Sequence, residues 1–253
     1  MPTSRFANKN VAITGAGTGI GRACAWRLAE EGATVILLGR RDAPLISLKH
    51  EIEEHTGMAM AYSCDISDPV SMGKTFASIA EECGELHGVF ANAGLLGEFQ
   101  LLRNTPFEHI DQLINTNLKG TLLTVQHSLP LMNSGSIVIN ASWTANAVMP
   151  GAGAYASSKG ALLAMIKTLA VEVGVNAVTV NAINPGIILT PMAEDVLDPE
   201  LAEKLALHAA LKRNGTPEDI SGTVAWLLSE DAAFVTGQEI TIDGGYTLGG
   251  LRL

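Results

Sequence analysis

A glycine-rich turn at residues 15–21 constrains the fold of this chain more than any other feature. It reads Gly15-Ala-Gly-Thr-Gly19-Ile-Gly21, follows the apolar run Val11–Thr14 and leads into a helix-favouring stretch. Glycines permit a tight turn and let backbone N–H groups approach a pyrophosphate, whose charge is stabilised by the N-terminus of the following helix. The order strand, turn, helix therefore predicts a nucleotide-binding unit, with a purely structural turn as the alternative.

Short apolar runs alternate with amphipathic stretches along the whole chain. The runs are rich in Val, Ile, Leu and Ala with little polar alternation, which is typical of parallel strands covered on both faces. We predict one α/β domain over residues 1–253, a Rossmann-type, doubly wound, seven-stranded parallel sheet with helices on both faces. The predicted strands are Val11–Thr14, Thr34–Leu38, Met58–Ser63, Gly88–Ala91, Ser136–Asn140, Thr179–Ile183 and Glu239–Ile242. Helices are predicted near residues 20–31, 42–56, 68–83, 106–132, 153–173 and 217–229.

One irregular insert, at about residues 186–215, interrupts this alternation. It contains Pro191 and Pro199 and a helical stretch over Glu200–Leu211. Ligands of doubly wound sheets bind beyond the carboxyl ends of the strands. Because the insert leaves such an end, we expect it to form a lid over the substrate.

Charge and hydropathy exclude several classes of partner. The formal net charge is -10 and Lys and Arg form no cluster, so we expect neither a nucleic-acid nor a membrane partner. No apolar run reaches the roughly 18 residues of a membrane span.

The cysteine and histidine residues indicate the cellular compartment and whether a metal is expected. Cys24, Cys64 and Cys83 are widely spaced and no signal peptide is recognisable, which favours a reducing, cytoplasmic setting. The six histidines lack ligand spacing, so we expect no metal.

Tyr155 and Lys159 form a second constellation. They are four residues apart near the start of an amphipathic stretch, so a helix places both side chains on one face, one turn apart. A free phenol has a pKa of about 10 and exchanges protons poorly near neutrality, and a neighbouring ammonium is expected to lower that pKa. The alternative is a surface lysine beside a half-buried tyrosine.

Ser142 follows the fifth predicted strand and therefore lies at the carboxyl edge of the sheet. A hydroxyl there can donate a hydrogen bond to a substrate carbonyl oxygen and hold it against Tyr155. Taken alone, a serine at this position is more often an ordinary turn serine.

Three short segments of the sequence together resemble the short-chain dehydrogenase/reductase family. Thr14-Gly15-x-x-x-Gly19-x-Gly21 resembles its TGxxxGxG pattern. Asn92-Ala93-Gly94 resembles its NNAG segment, with Ala91 in place of the first Asn, and Asn184-Pro185-Gly186 resembles its PG segment. The resemblance spans about residues 8–247 and implies an NAD(P)-dependent oxidoreductase that works as a homotetramer.

The resemblance also implies a catalytic tetrad. Ser142 precedes Tyr155 by the family's separation, and Asn117 matches the family's N-x-x-G spacing. It gives Asn117 the task of holding a water that links Lys159 to solvent. Asn115 is a competing candidate, and the plain alternative for Asn117 is a polar residue on a helix surface. The predicted catalytic residues are Asn117, Ser142, Tyr155 and Lys159.

The end of the second strand bears on the choice of cofactor. A carboxylate there binds the ribose of NAD, whereas an arginine suits the 2′-phosphate of NADP. Gly39 stands at that position and Arg40 follows, which favours NADP over NAD. Alternatively, Arg40 and Arg41 are solvated residues at a helix start and Asp42 serves as a poor NAD acid.

The resemblance implies the remaining cofactor contacts. Asp65 accepts from the adenine amino group and the nicotinamide lies over Pro185-Gly186. The full predicted set is Gly15, Thr18, Gly19, Ile20, Gly21, Arg40, Asp65, Ile66, Asn92, Ala93, Gly94, Tyr155, Lys159, Pro185, Gly186, Ile188 and Thr190.

These predictions converge on one activity, hydride transfer between a nicotinamide cofactor and a small carbonyl or secondary alcohol substrate, with ketone reduction favoured. A non-catalytic NAD(P)-sensing regulator on the same fold is the alternative. The candidate substrate-pocket residues are mostly apolar, which favours a neutral or hydrophobic substrate: Leu95, Leu96, Glu98, Trp143, Met149 and residues 187–211.

Two segments favour self-association. Residues 153–173 carry more apolar side chains than one buried stripe needs, and the tail 244–253 is apolar.

Overall fold

The computed structural model describes residues 4–55, 57–194 and 196–249. Within these ranges, seven parallel strands form one sheet in the order β3-β2-β1-β4-β5-β6-β7. The order reverses direction between β1 and β4, which is the switch point where doubly wound folds bind ligands. The strands are β1 Asn10–Thr14, β2 Thr34–Gly39, β3 Met58–Ser63, β4 Gly88–Ala91, β5 Gly135–Asn140, β6 Val178–Pro185 and β7 Glu239–Ile242.

The sheet separates two hydrophobic cores. In β2, Val35 and Leu37 pack into one core, and Ile36 and Leu38 pack into the other. All four are fully buried, because helices cover both faces of the sheet. The continuous apolar runs in the sequence are therefore explained by two-sided burial, and the predicted fold class is confirmed.

The helices cross between the strands on both faces. The predicted strands are observed, and so are the predicted helices other than the one over 106–132; residue 56 of one predicted helix lies outside the described residues. The α-helices are α1 Gly19–Glu30, α2 Asp42–His55, α3 Pro69–Cys83, α4 Phe107–Leu113, α5 Gly120–Ser128, α6 Gly153–Val173, α7 Pro191–Glu194, α8 Pro199–His208 and α9 Pro217–Leu228.

The stretch predicted as one helix over 106–132 is interrupted. A π-helical turn, Ile114–Lys119, joins α4 to α5 and a short 3₁₀ turn follows α5. The sequence prediction missed this because a π turn leaves the apolar periodicity almost intact. Such turns often occur at functional sites.

The insert at 186–215 contains α7 and α8. A bridge between Ile188 and Gly215 closes its base. The predicted helix over Glu200–Leu211 ends at His208, since the next residue is extended. Residue 195, inside the insert, lies outside the described residues.

The apolar helix α6 is explained largely by the chain itself. Leu162, Leu163 and Ile166 are all buried within the single chain. Ala164 and Val171 of the same helix are exposed, so the self-association expected from the sequence is left untested. The tetramer stays a prediction, and residues 250–253 of the apolar tail lie outside the described residues.

Candidate active site

A cavity of about 370 Å³ opens at the carboxyl ends of the strands, where β1, β4, β5 and β6 end. It contains the glycine turn at one side and Ser142, Tyr155 and Lys159 at another. Of the predicted cofactor residues, all line the cavity except Gly21. Other described lining residues, which the sequence did not single out for the cofactor, include Arg41, Pro44, Leu45, Cys64, Thr116, Asn140, Ala141 and Thr144.

The glycine turn has the geometry that its sequence predicts. Gly15 and Gly19 have φ of 67° and 54°, in the left-handed region that favours glycine. A Cβ on Gly21 would lie 2.2 Å from the carbonyl oxygen of Gly15. Gly21 is thus required by the packing of α1 against the turn, and this is why it does not face the cavity.

The N-terminus of α1 suits a phosphate. Thr18 precedes the helix, and among the described residues its side chain makes no capping hydrogen bond. The first N–H groups of the helix are therefore available to an external acceptor, and the helix dipole favours negative charge there. Because Gly15, Gly17 and Gly19 leave room beside these donors, the residues present fit a dinucleotide.

Asn92 braces the turn from the neighbouring strand. Its side chain donates to the backbone oxygens of Thr14 and Gly15 at 3.0 and 3.3 Å. The backbone N–H groups of Asn92 and Ala93 donate to the Thr14 hydroxyl, each at 3.0 Å. The side chain of Asn140 donates to Asn92 at 2.8 Å, so β1, β4 and β5 are locked together beneath the cavity.

Arg40 and Asp65 both line the cavity, and the charge of Arg40 acts on the Asp65 carboxylate. Arg40 is exposed beside Gly39, and both line the cavity. Partial burial acts to raise the pKa of Asp65, but hydrogen bonds from Ser67 and the charge of Arg40 outweigh it and lower that pKa. One Asp65 oxygen accepts from both the backbone N–H and the hydroxyl of Ser67, at 2.9 and 2.7 Å.

Ser142 is buried at the start of a short 3₁₀ turn, Trp143–Ala145. Its oxygen accepts from the hydroxyl of Thr144 at 2.9 Å and from the Thr144 N–H at 3.2 Å. With its lone pairs used in this way, the Ser142 hydroxyl proton is left to donate. Ser142 lies close enough to Tyr155 for its hydroxyl to act on the pKa of the phenol, and both side chains line the cavity.

Lys159 is 4% exposed and lies one turn after Tyr155 on α6. Its Nζ donates to the backbone oxygen of Asn140 at 2.7 Å and lies 6.0 Å from the centre of the Tyr155 ring. The one-face prediction for this pair is thus met, and the alternative of a surface lysine is wrong.

Burial shifts both groups away from their charged forms. It raises the pKa of Tyr155 to about 12, with the Ser142 hydrogen bond acting in the opposite direction. It lowers the pKa of Lys159 to about 8. The expected lowering of the phenol pKa is therefore not seen in the chain by itself, because desolvation of the buried phenol outweighs the influence of Ser142.

Asn117 lies in the π-helical turn and is fully buried. Its side chain accepts from the Leu95 N–H at 2.7 Å and donates to the Leu95 carbonyl at 2.9 Å and to the Ser158 hydroxyl at 3.0 Å. The alternative of a helix-surface residue is wrong. The competing Asn115 is exposed and bonded to Lys119, away from the cavity.

Asn117 sits behind Lys159 rather than in the cavity wall. A Cβ on Gly94 would lie 3.0 Å from Asn117 Oδ1 and 3.4 Å from Lys159 Nζ, so Gly94 permits the three residues to approach. Leu95, Ser158 and Asn140 complete this arrangement. Sequence reasoning missed these partners because two of them contribute backbone atoms, which no side-chain pattern reveals.

Three charged residues, two in the insert and one in the loop after β4, form contacts with residues that do not line the cavity. Arg213 forms an ion pair with Asp219, and Lys212 donates to the Leu207 carbonyl. Glu98, which was predicted near the substrate, accepts from Gln100 and does not line the cavity. Within the described residues, no cluster of three potential metal ligands occurs, and no helix has the length and apolar character to cross a membrane.

Comparison with known proteins identifies the family. A family model described as enoyl-(acyl carrier protein) reductase matches residues 15–247. A solved short-chain dehydrogenase from Burkholderia cenocepacia J2315, in complex with NADP, is 29% identical, with a TM-score of 0.89 over 96% of this chain and 99% of that one. This chain belongs to the short-chain dehydrogenase/reductase family. It is accordingly an oxidoreductase that uses a nicotinamide cofactor.

Curated relatives of this short-chain dehydrogenase/reductase act on different molecules. The 3-oxoacyl-(acyl-carrier-protein) reductase of Thermotoga maritima is 36% identical over 96% of this chain and 100% of its own length. The levodione reductase of Leifsonia aquatica is 34% identical over 96% of both chains.

Proposed function

We propose that this enzyme is an NADP-dependent ketone reductase for neutral, apolar substrates. The observation that carries the proposal is that Ser142 and Tyr155 lie near one another in the wall of an apolar cavity that also contains the glycine turn. Two neighbouring hydroxyl donors suit a single carbonyl oxygen.

The proposed substrate class follows from the cavity wall near the two hydroxyls. Apart from Tyr155 and Lys159, the described residues lining this part carry no ionisable side chain. A charged substrate would lose its hydration there without a partner. The wall includes Leu96, Phe99, Trp143, Met149, Met192 and Leu205.

Tyr155 is the proposed proton donor. Its pKa of about 12 keeps the phenol protonated at neutral pH, which suits an acid in carbonyl reduction. Ser142 orients the substrate oxygen. Lys159, held beside the ring by Asn140, stabilises the phenolate that proton donation leaves behind.

Asn117 is proposed as the fourth member of the site. Its side chain ties the Leu95 backbone to Ser158, and Ser158 immediately precedes Lys159. The water link to solvent that the family resemblance implies stays a prediction.

The cofactor is proposed to lie along the glycine turn with its reactive end over Pro185-Gly186. When bound, the reduced nicotinamide supplies the hydride. Arg40, which is exposed beside Gly39 and lines the cavity, is proposed to bind a 2′-phosphate, which favours NADP. That a relative of known structure was solved with NADP supports this preference.

The insert is proposed to act as the substrate lid. Residues from its first part through α8 line the cavity, including Ile188, Thr190, Met192, Val196 and Leu205. A homotetramer and a cytoplasmic location stay predictions from sequence.

A substrate panel tests the proposal. Purified enzyme is assayed with NADPH and with NADH against neutral cyclic and aliphatic ketones and against keto acids of similar size. We expect turnover of the neutral ketones with NADPH and little turnover of the keto acids. Preference for keto acids would contradict the substrate class. Cofactor binding without any turnover would instead favour the regulatory alternative.

A further inference from the structure

Tyr246 lies outside the cavity, yet its ring joins two of the cavity's walls. It meets the ring of Trp143 edge-on, with centroids 5.0 Å apart and planes at 68°. It meets the imidazole of His208 in the same manner, at 5.1 Å and 70°. Both distances fall in the range that aromatic pairs favour.

The two partners of Tyr246 belong to different parts of the site. Trp143 directly follows Ser142, is 7% exposed and lines the cavity. His208 is the last residue of α8, whose Leu205 also lines the cavity. One ring therefore contacts both the serine loop and the insert.

A tight turn fixes the position of Tyr246. The Asp243 carboxylate accepts from the Gly245 N–H at 2.8 Å, and from the Thr247 N–H and hydroxyl at 2.8 and 2.6 Å. The Tyr246 N–H donates to the Asp243 carbonyl at 3.0 Å. These hydrogen bonds fix the backbone of the turn and, through it, the position of the Tyr246 ring.

The same turn is packed on the chain that follows α8. The Leu211 N–H donates to the Gly244 carbonyl at 3.0 Å. A Cβ on Gly245 would lie 2.7 Å from the Cβ of Ala210, so Gly245 packs closely on the Ala210 side chain. The turn is therefore packed directly against the end of the insert.

We propose that Tyr246 is a positioning residue that fixes Trp143 as a wall of the substrate cavity, couples this wall to α8 and thereby limits substrate size. The inference rests on the proposed ketone reduction. Without the Tyr246 ring, Trp143 gains space to turn away from the cavity and α8 loses an aromatic contact. The cavity then admits larger ketones and holds small ones less tightly.

The kinetic test compares Tyr246→Ala and Tyr246→Phe with the wild type on a series of cyclic ketones of increasing ring size. For Tyr246→Ala we expect the ratio of kcat/KM for the bulkiest over the smallest ketone to rise roughly tenfold, mainly through KM, because added bulk in an apolar pocket has effects of that size. Tyr246→Phe keeps the ring and should restore the wild-type profile. An unchanged profile in Tyr246→Ala, or a uniform fall in kcat for all ketones, would overturn the proposal.

Variants of two histidines distinguish the proposed coupling between Tyr246 and α8 from the general effect of losing an aromatic contact. His208 and His55 each end a helix and each lie against an aromatic ring, Tyr246 and Trp26 respectively. We expect His208→Ala to shift the size profile in the direction of Tyr246→Ala and His55→Ala to leave it unchanged. Equal behaviour of the two variants would argue against the coupling.

Amide hydrogen exchange across α8 gives a readout that needs no turnover. Exchange should quicken over Pro199–His208 in Tyr246→Ala and in His208→Ala, and not in His55→Ala. If Tyr246→Ala does not fold, the size profile and the hydrogen exchange are both measured on His208→Ala instead. If the wild type reduces no ketone, the proposed function fails, whereas unchanged exchange in a folded variant defeats only the present inference.

Discussion

Lys159 Nζ donates to the backbone carbonyl of Asn140 at 2.7 Å, which ties the ammonium to the last residue of β5. Ser142 comes two residues later. The same strand end therefore positions the lysine and the serine, and the Tyr155 phenol lies beside both.

Replacing the phenol should remove the proton donor and leave the cofactor site intact. We expect Tyr155→Phe to lower kcat by about 10²-fold or more, the size of a general-acid contribution. The Kd for NADPH, measured by fluorescence titration, should stay close to that of the wild type. Tyr62→Phe, which alters a tyrosine bonded to Met60 outside the cavity, is the control. A near-normal kcat in Tyr155→Phe would sink the mechanism.

The pH dependence of reduction should report Lys159. Its ammonium is proposed to stabilise the phenolate, and burial lowers its pKa to about 8. Below that pH the lysine is charged, so kcat/KM for the ketone should be at its plateau and should fall as pH rises through about 8. Lys159→Arg keeps its positive charge at high pH, so the fall in kcat/KM with rising pH should disappear in this variant. The same fall in kcat/KM in Lys159→Arg would show that a group other than Lys159 titrates.

Arg40 should set the preference between the two cofactors. Loss of a charge-assisted contact to a phosphate costs about 1.5–3 kcal/mol, so Arg40→Ala should weaken NADPH binding roughly 10- to 100-fold. NADH binding should change little. Arg41→Ala is the neighbouring control, expected to have the smaller effect. Tighter binding of NADH than NADPH by the wild type would contradict the assignment.

Gly39 offers the converse experiment. A Cβ there would meet Leu45 no closer than 3.5 Å, an ordinary contact, so a side chain fits. We expect Gly39→Asp to shift affinity toward NADH, since a carboxylate binds the ribose and repels the 2′-phosphate. Titration of the variant with both cofactors measures the shift, and an unchanged ratio would count against this placement of the ribose.

Asn117 should matter more than its neighbour Asn115. Asn117→Ala leaves the partly buried Leu95 backbone groups without their Asn117 partner, at a cost of about 1–3 kcal/mol in the free energy of unfolding. Turnover should also fall, because Ser158 and Lys159 lose their support. Asn115→Ala, at an exposed position two residues earlier, should change neither quantity. Denaturant unfolding and steady-state kinetics on both variants provide the comparison, and equal effects would refute it.

Gly21 should tolerate no side chain. An added Cβ would lie 2.2 Å from the Gly15 carbonyl oxygen and 2.7 Å from the Asn92 side chain. Gly21→Ala should therefore lower stability by about 1–3 kcal/mol through overpacking. Gly73→Ala on α3 is the control, since its Cβ would come no closer than 3.8 Å to His127. Thermal melts distinguish the two, and similar melting temperatures would be the contrary result.

Much of the fold was accessible from the sequence because each signal is local. The apolar runs of the strands and the glycine turn depend on neighbouring residues, and they were placed to within about two residues. The π turn at Ile114–Lys119 was not predicted, because it changes one turn of hydrogen bonding without changing which residues are apolar.

The candidate site was predictable in part for the same reason. Tyr155 and Lys159 share one helix, so their spacing alone puts them together. The pKa of Tyr155 was expected to fall and instead rises, because burial depends on what surrounds the ring and not on its neighbours in sequence.

The sequence by itself therefore determined the doubly wound sheet and the glycine turn, since both depend on short-range patterns, and the family resemblance supplied the proposed catalytic residues. Only the tertiary structure decided that Asn117 binds the Leu95 backbone, that Asn140 anchors Lys159 and that Tyr246 lies between Trp143 and His208. These contacts join residues far apart in the chain, often through backbone atoms. Their existence depends on how the strand ends and loops come together, which no local pattern specifies.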